Sequence, residues 1–306
     1  MSEERRVALV RGAFASDLPG VTVGIGDDCA VLERVGEPLV WTVDAQVEHV
    51  HFERAWMGLS DIGYRSFMAA ASDLAAMGAR PVGALWALAL PATFSDEDLA
   101  ALAAGVAEAA REVGVAVVGG NFTRASELGL TTTLLGAAAS PVTRQGAAVG
   151  DGIWVAGALG LARVGLEACR LGVAGDPALA AAVAAFRRPR ARLEAGRVAP
   201  RPRAMVDVSD GLALDLSRVA PHALLDEGAL LARGGEGLAA MAAAVGLDPI
   251  ACILHGGEDY ALVAASPTAL PGFARVGEVT ASGGLRVRGP RGEVAVAPRG
   301  FDHFGG

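Results

Sequence analysis

The chain has 306 residues, enough for one large domain or two of ordinary size, and 52% of them are hydrophobic against 20% charged. It can therefore bury a substantial core and does not have the composition of a disordered chain. A formal net charge of −8 argues against a general binder of nucleic acid or of anionic membranes, and the 26 basic residues are all arginine, which excludes a Walker-type phosphate loop, a protein-kinase lysine and a Schiff-base lysine. The three cysteines, Cys29, Cys169 and Cys252, lie far apart without a C-x-x-C pair, as suits a reducing cytoplasm rather than a disulfide framework or zinc cluster. No apolar run reaches the ~18–20 residues of a membrane span, and the start of the chain lacks the apolar stretch of a signal peptide. The expectation is a cytoplasmic protein with neither nucleic acid nor membrane as partner.

Taken in order, residues 3–15 read as a short amphipathic helix broken at Pro19-Gly20. Short strands at 21–23 and 30–32 flank Gly24-Ile25-Gly26-Asp27-Asp28, and a strand from Leu39 to Val43 ends at Asp44, before a loop carrying Glu48, His49 and His51. Residues 60–78 have the apolar face of a helix, with Gly78 as its stop. A buried strand at 82–90 precedes a helix that Ser95 caps, with Asp96, Glu97 and Asp98 in its first turn, and which stops at Gly114. A short strand at 115–118 leads to Gly119-Gly120-Asn121, whose Gly pair has an ordinary turn as its plain reading, and another strand occupies 128–138. A boundary near Ser140-Pro141 divides domains 1–139 and 140–306.

In the second half, a strand at 153–156 is followed by helices at 160–171 and 177–186, and a short helix lies between Pro189 and Pro200. The strand 204–208 runs into Ser209-Asp210-Gly211, a helix reaches about Ala220, and another covers 237–246. Gly256-Gly257-Glu258-Asp259 feeds a strand at 260–264, and short strands fall near 273–279, 285–288 and 293–297. Alternating strands and helices indicate an α/β or α+β fold with mixed sheets flanked by helices.

Four acidic stretches stand out: Asp27-Asp28, Thr42-Val43-Asp44, Ser72-Asp73 and Asp207-Val208-Ser209-Asp210. Each has an ordinary reading of its own. Gly and Asp favour hairpin turns, and Asp210 is well placed to cap the helix that follows. Arg144 is by default a solvated arginine, Phe301 a packing residue and His51 a packed or solvated histidine. Asp73 lies near a helix C-terminus, where the backbone dipole disfavours a carboxylate unless water or a cation compensates it. Read jointly, acids at element ends beside Gly-rich turns, with no lysine available, point to divalent cations that in turn hold phosphates.

Together these residues resemble the thiamine-monophosphate kinase family. The resemblance rests on Gly-Ile-Gly-Asp-Asp-Cys-Ala at 24–30, Val-Asp-Ala-Gln-Val-Glu-His-Val-His-Phe at 43–52 and Ser-Asp-Leu-Ala-Ala-Met-Gly-Ala at 72–79. It continues with Val-Asp-Val-Ser-Asp-Gly-Leu at 206–212, Gly-Gly-Glu-Asp-Tyr-Ala-Leu at 256–262 and Gly-Phe-Asp-His-Phe at 300–304, in order over essentially the whole chain. It implies a two-domain aminoimidazole ribonucleotide synthetase-like fold whose N-terminal domain binds ATP and metal and pairs its sheet across a homodimer. It also implies ATP- and Mg²⁺-dependent conversion of thiamine monophosphate to thiamine diphosphate, with ATP held between the domains. By position, Asp28, Thr42, Asp44, Asp73, Asn121, Asp207 and Asp210 would be metal ligands. Gly120, Asn121, Arg144 and Ser209 would contact ATP, and His51, Glu258 and Phe301 would line the thiamine-phosphate site. In two places the chain departs from the pattern: Asn121 stands where the family usually has Asp, and Val43 where it often has a hydroxyl residue.

The acceptor in such a reaction is a phosphate monoester whose second pKa is about 6, so it is largely dianionic at pH 7 and needs no general base. No essential acid–base residue is therefore expected, and transfer should be direct and in line. Two alternatives stand beside this reading. One is another ATP-using enzyme of the same superfamily; the other is a non-catalytic nucleotide- or thiamine-phosphate-binding homologue, for which the Asn121 departure is the one feature in favour.

Overall fold

The computed structural model describes residues 9–14, 20–23, 31–33, 36–235 and 237–301. The Gly24–Asp28 loop, Cys29 and the end of the chain after Phe301 lie outside them. The chain divides into two units, one of Met1–Leu74 and Ala79–Pro141, the other of Ala75–Gly78 and Val142–Gly306.

The first unit is built on β3 (Leu39–Val47), β4 (Arg80–Leu90), β5 (Val117–Arg124) and β6 (Gly129–Ala137), in the spatial order β3-β6-β4-β5. Only the β4–β5 pair is parallel, so the sheet is mixed. Before it, β1 (Val21–Val23) and β2 (Val31–Leu32) form a separate antiparallel pair. Side chains alternate faces along a strand, and here the alternation is clear. Val40, Gln46, Trp86, Leu88, Leu130 and Leu134 are buried on one face. On the other, Leu39, Trp41, Val43 and Leu85 are 57%, 71%, 64% and 41% exposed. Two helices, α1 (Leu59–Ala76) and α2 (Asp96–Val113), pack Ile62, Phe67, Leu74, Leu99, Leu102 and Val106 into the core. They approach each other closely because two glycines meet facing backbone: a Cβ on Gly105 would lie 1.8 Å from the Ser60 carbonyl oxygen, and one on Gly63 would lie 2.2 Å from that of Leu102. The ends of α2 follow the sequence signals. Ser95 and Asp98 form a reciprocal capping box, and Gly114 closes the helix in the left-handed conformation at φ 73°.

The second unit carries a seven-stranded mixed sheet in the order β13-β12-β9-β11-β7-β10-β8. Its strands are β7 (Gly152–Ala156), β8 (Ala204–Val208), β9 (Ala223–Asp226), β10 (Ala261–Ser266), β11 (Ala274–Val279), β12 (Leu285–Gly289) and β13 (Gly292–Val296). The helices are α3 (Leu161–Arg170), α4 (Ala180–Arg187), α5 (Leu193–Gly196), α6 (Leu212–Val219), α7 (Glu227–Arg233), α8 (Leu238–Ala244) and α9 (Pro249–His255). Ile153, Val155, Val206, Val208 and Val263 from the sheet join Leu212, Leu216, Leu230 and Ile253 from the helices in one buried cluster. Because β10 runs antiparallel to both β7 and β8, the loops that follow β7 and β8 and the loop that precedes β10 all lie at one end of the sheet.

Three expectations need correction. The strand holding Asp44 continues to Val47, so Asp44 sits inside a strand rather than at its end. Gly119-Gly120-Asn121 is part of β5, not a turn. The sequence reading also missed β9, α7 and α9. Among the described residues no single helix is long and apolar enough to cross a membrane.

Candidate active site

In the first unit the oxygen-bearing residues gather on the helix-facing side of β3. Thr42 and Asp44 are two residues apart and so share a face. The Thr42 hydroxyl donates to Asp73 Oδ2 at 2.5 Å, joining β3 to the last turns of α1. All three side chains are half-buried. The hydroxyl thus engages a carboxylate that the end of the helix dipole disfavours. His51, in the loop after β3, turns back on its own chain: its Nδ1 accepts the Val47 N–H at 3.0 Å.

Asn121 lies elsewhere. It is on β5, at the opposite edge of the sheet from β3. In register it falls in a row with Ala87, Thr131 and Ala45, on the exposed face. Three strand spacings, about 14 Å, separate that edge from Asp44, so a single chain does not bring these two residues together. Gly120 has a packing reason to be glycine, since a Cβ there would lie 1.9 Å from the Trp86 carbonyl oxygen across the parallel pair.

In the second unit the sheet end is more densely connected. Asp207 is buried near the end of β8, in register with Leu262 of β10, which in turn pairs with Ala156 of β7. Ser209 and Asp210 follow β8 at once. The Ser209 carbonyl accepts the Glu258 N–H at 2.8 Å, and the Asp210 carbonyl accepts the Phe301 N–H at 3.0 Å, so Ser209, Asp210, Glu258 and Phe301 form one connected loop group. Glu258 and Tyr260 have φ of 63° and 47°, in the left-handed region. Non-glycine residues held there concentrate where surrounding structure fixes them for function. Phe301 is 50% exposed. Arg144 is exposed and follows Thr143, whose carbonyl accepts the N–H of Met205 near the beginning of β8.

Two acids that the sequence reading passed over hold these loops in place. Asp215, fully buried on α6, accepts the backbone N–H groups of Asp210 and Gly211 on its Oδ2 at 3.0 and 3.1 Å. Arg218 then bridges Asp215 at 2.6 Å and Asp210 at 2.8 Å. The Asp210 side chain therefore does not cap α6; Gly211 occupies that position without a side-chain cap. Burial, reinforced by the charge of Asp210, pushes the Asp215 carboxyl up to about 6. Asp259 accepts from Gly160 N at 2.7 Å and Ala162 N at 3.4 Å, which caps α3 from a different strand connection. Burial raises this carboxyl to about 7, against the pull of those two N–H groups. The Asp215–Arg218 spacing was a readable signal, since i,i+3 neighbours share a helix face. The Asp259 partnership spans 99 residues and had none.

Among the described residues no three His, Cys, Asp or Glu side chains gather closely enough to hold a metal ion by themselves. The donors present are nonetheless all oxygen, from carboxylates and a hydroxyl. This suits a hard cation such as Mg²⁺, which takes one or two carboxylates and completes its shell with water and phosphate oxygens. Asp28 lies outside the described residues.

Residues 26–138 match the AIR synthase related protein, N-terminal domain family. The thiamine-monophosphate kinase of Aquifex aeolicus is 31% identical over 291 residues, covering 92% of this chain and 92% of its own. The solved thiamine-monophosphate kinase of Stenotrophomonas maltophilia K279a superposes with a TM-score of 0.82 at 31% identity, over 94% of this chain and 96% of its own. The solved complex of AaThiL with AMPPCP and TMP gives 0.81 at 30% identity, with 92% of each chain covered. The chain belongs to the thiamine-monophosphate kinase family.

Proposed function

We propose that this protein transfers the terminal phosphoryl group of ATP to thiamine monophosphate, giving thiamine diphosphate and ADP. The observation that carries the reading is full-length similarity to a relative solved with AMPPCP and TMP together, joined to the oxygen-donor pairing of Thr42 and Asp73. A phosphate oxygen of thiamine monophosphate forms the new bond to the γ-phosphorus as the bond to the ADP oxygen breaks. The attacking oxygen is already ionised at pH 7, so no side chain has to remove a proton. Mg²⁺, when bound, neutralises charge on the phosphates. Thr42, Asp44 and Asp73 in the first unit, and separately Asp207 and Asp210 in the second, are the described residues proposed as ligands of Mg²⁺ ions, with Asn121 and Asp28 as further ligands. Gly120, Asn121, Arg144 and Ser209 are proposed to contact ATP, and His51, Glu258 and Phe301 the thiamine phosphate.

The reading extends to assembly and compartment. The exposed apolar face bearing Leu39, Trp41, Val43 and Leu85 is larger than isolated surface residues explain, which supports a homodimer formed through the N-terminal sheet. The thiols of Cys169 and Cys252 are buried and form no disulfide among the described residues, which suits a reducing cytoplasm. Asp73→Ala and Asp44→Ala, made singly, test the ligand assignment. Each should lower kcat/KM by at least about a hundredfold, in the range of a lost charge-stabilising group, and raised Mg²⁺ should restore part of it. Wild-type rates in both variants would remove these residues from the site.

A further inference from the structure

Arg192 immediately precedes α5 and is half-buried. Its Nε is buried without a hydrogen-bond partner. Burial and the charge of neighbouring Arg190 both work against its cationic form, and among the described residues no carboxylate registers as an offset. A guanidinium N–H buried without an acceptor is costly unless a ligand group meets it. Its location is specific. A Cβ placed on Gly157, the first residue after β7, would lie 3.1 Å from Arg192 Nε and 3.0 Å from Ala261 Cβ. Ala261 opens β10 and pairs with Val208, the residue before Ser209. Arg192 Nε thus sits at the sheet end where the Ser209-Asp210 and Gly256–Tyr260 loops emerge. Among the acids there, Asp210 and Asp215 are engaged by Arg218 and Asp259 by the backbone of Gly160 and Ala162, and Asp207 and Glu258 also have partners.

We propose that Arg192 binds a phosphate group of a ligand seated at this sheet end. A planar guanidinium presents a fork of donors that matches phosphate oxygens, and among the described residues no carboxylate offsets Arg192. Which molecule carries the phosphate, nucleotide or thiamine ester, rests on the function proposed above.

The test compares wild type with Arg192→Gln and Arg192→Lys by calorimetric titration of AMPPCP, thiamine monophosphate, inorganic pyrophosphate and phosphate-free thiamine. Arg192→Gln should weaken at least one phosphate probe about tenfold or more, the scale of a lost charge-assisted hydrogen bond. Arg192→Lys should recover part of that loss, and thiamine binding and the melting temperature should stay unchanged. The probe affected, AMPPCP or thiamine monophosphate, identifies the source of the phosphate. Unchanged affinity for every phosphate probe, or equal loss for thiamine and its phosphate ester, would overturn the proposal. If Arg192→Gln does not fold, Arg192→Lys is read the same way, since it keeps the charge and loses the fork. Arg192-dependent pyrophosphate or AMPPCP binding in a protein that does not phosphorylate thiamine monophosphate would sink the kinase reading while upholding this site.

Discussion

The buried carboxylate of Asp215 offers the sharpest structural test. Asp215→Ala removes the acceptor for two backbone N–H groups, those of Asp210 and Gly211, and leaves them inside the protein. Hydrogen bonds to a charged acceptor are worth about 1.5–3 kcal/mol each, so the variant should lose about 3–6 kcal/mol of unfolding free energy. That is a large part of the about 5–15 kcal/mol available to an ordinary domain. Arg218→Ala removes only the outer partner, whose side chain is 36% exposed. The two N–H bonds survive it, and solvent screening holds the loss to about 1–2 kcal/mol. Urea unfolding at pH 7.5, where a carboxyl at about 6 is mostly ionised, measures both. AMPPCP titration should also show weaker binding in Asp215→Ala, because the released loop carries Ser209 and Asp210. A loss below about 1 kcal/mol in Asp215→Ala, or a larger loss in Arg218→Ala, would refute the loop-holding role.

Asp259 yields a pH signature. Its folded pKa of about 7 lies above the ordinary 3.8, so between those values the folded chain holds a proton that the unfolded chain has released. The contribution to stability is therefore fully present below about pH 4 and is lost as pH rises through about 7. Asp259→Asn cannot titrate, so the wild-type melting temperature should fall relative to the variant from pH 5 to pH 8; parallel profiles or the opposite slope contradict the burial argument. Trp41→Glu places a charge on the exposed sheet face and should convert the proposed homodimer to monomer in light scattering. An unchanged mass with wild-type dimerisation would put the interface elsewhere.

Much of the fold was legible where local chemistry is self-contained. Ser95 with Asp98, and the glycines at 78 and 114, mark helix ends through hydrogen bonds and left-handed φ values. The errors came where partners are remote. Asp44-Ala45-Gln46 looks polar enough for a loop but stays in β3 because Thr132, Thr131 and Leu130 pair with it. Gly119-Gly120 looks like a turn, yet Gly120 is glycine because β4 backbone leaves no room for a side chain. β9, α7 and α9 hide in Ala- and Leu-rich sequence without clear periodicity, although the capping residues Asp226 and Asp248 were available as signals. In the site, acids could be picked out singly, and Thr42 with Asp73 proved to be in contact. Of the supporting residues, Asp215 could have been read from its i,i+3 spacing to Arg218, whereas Asp259 and Arg192 could not, because what distinguishes them is burial and a partner, or its absence, set by distant chain.

The central claim is phosphoryl transfer from ATP to thiamine monophosphate. Purified protein incubated with γ-¹⁸O-labelled ATP, thiamine monophosphate and Mg²⁺, followed by mass spectrometry, tests it directly. The account predicts one thiamine diphosphate per ADP formed, with the labelled phosphoryl group on the product and no labelled protein. Binding of both ligands without thiamine diphosphate, or ADP released only with free phosphate, would contradict it.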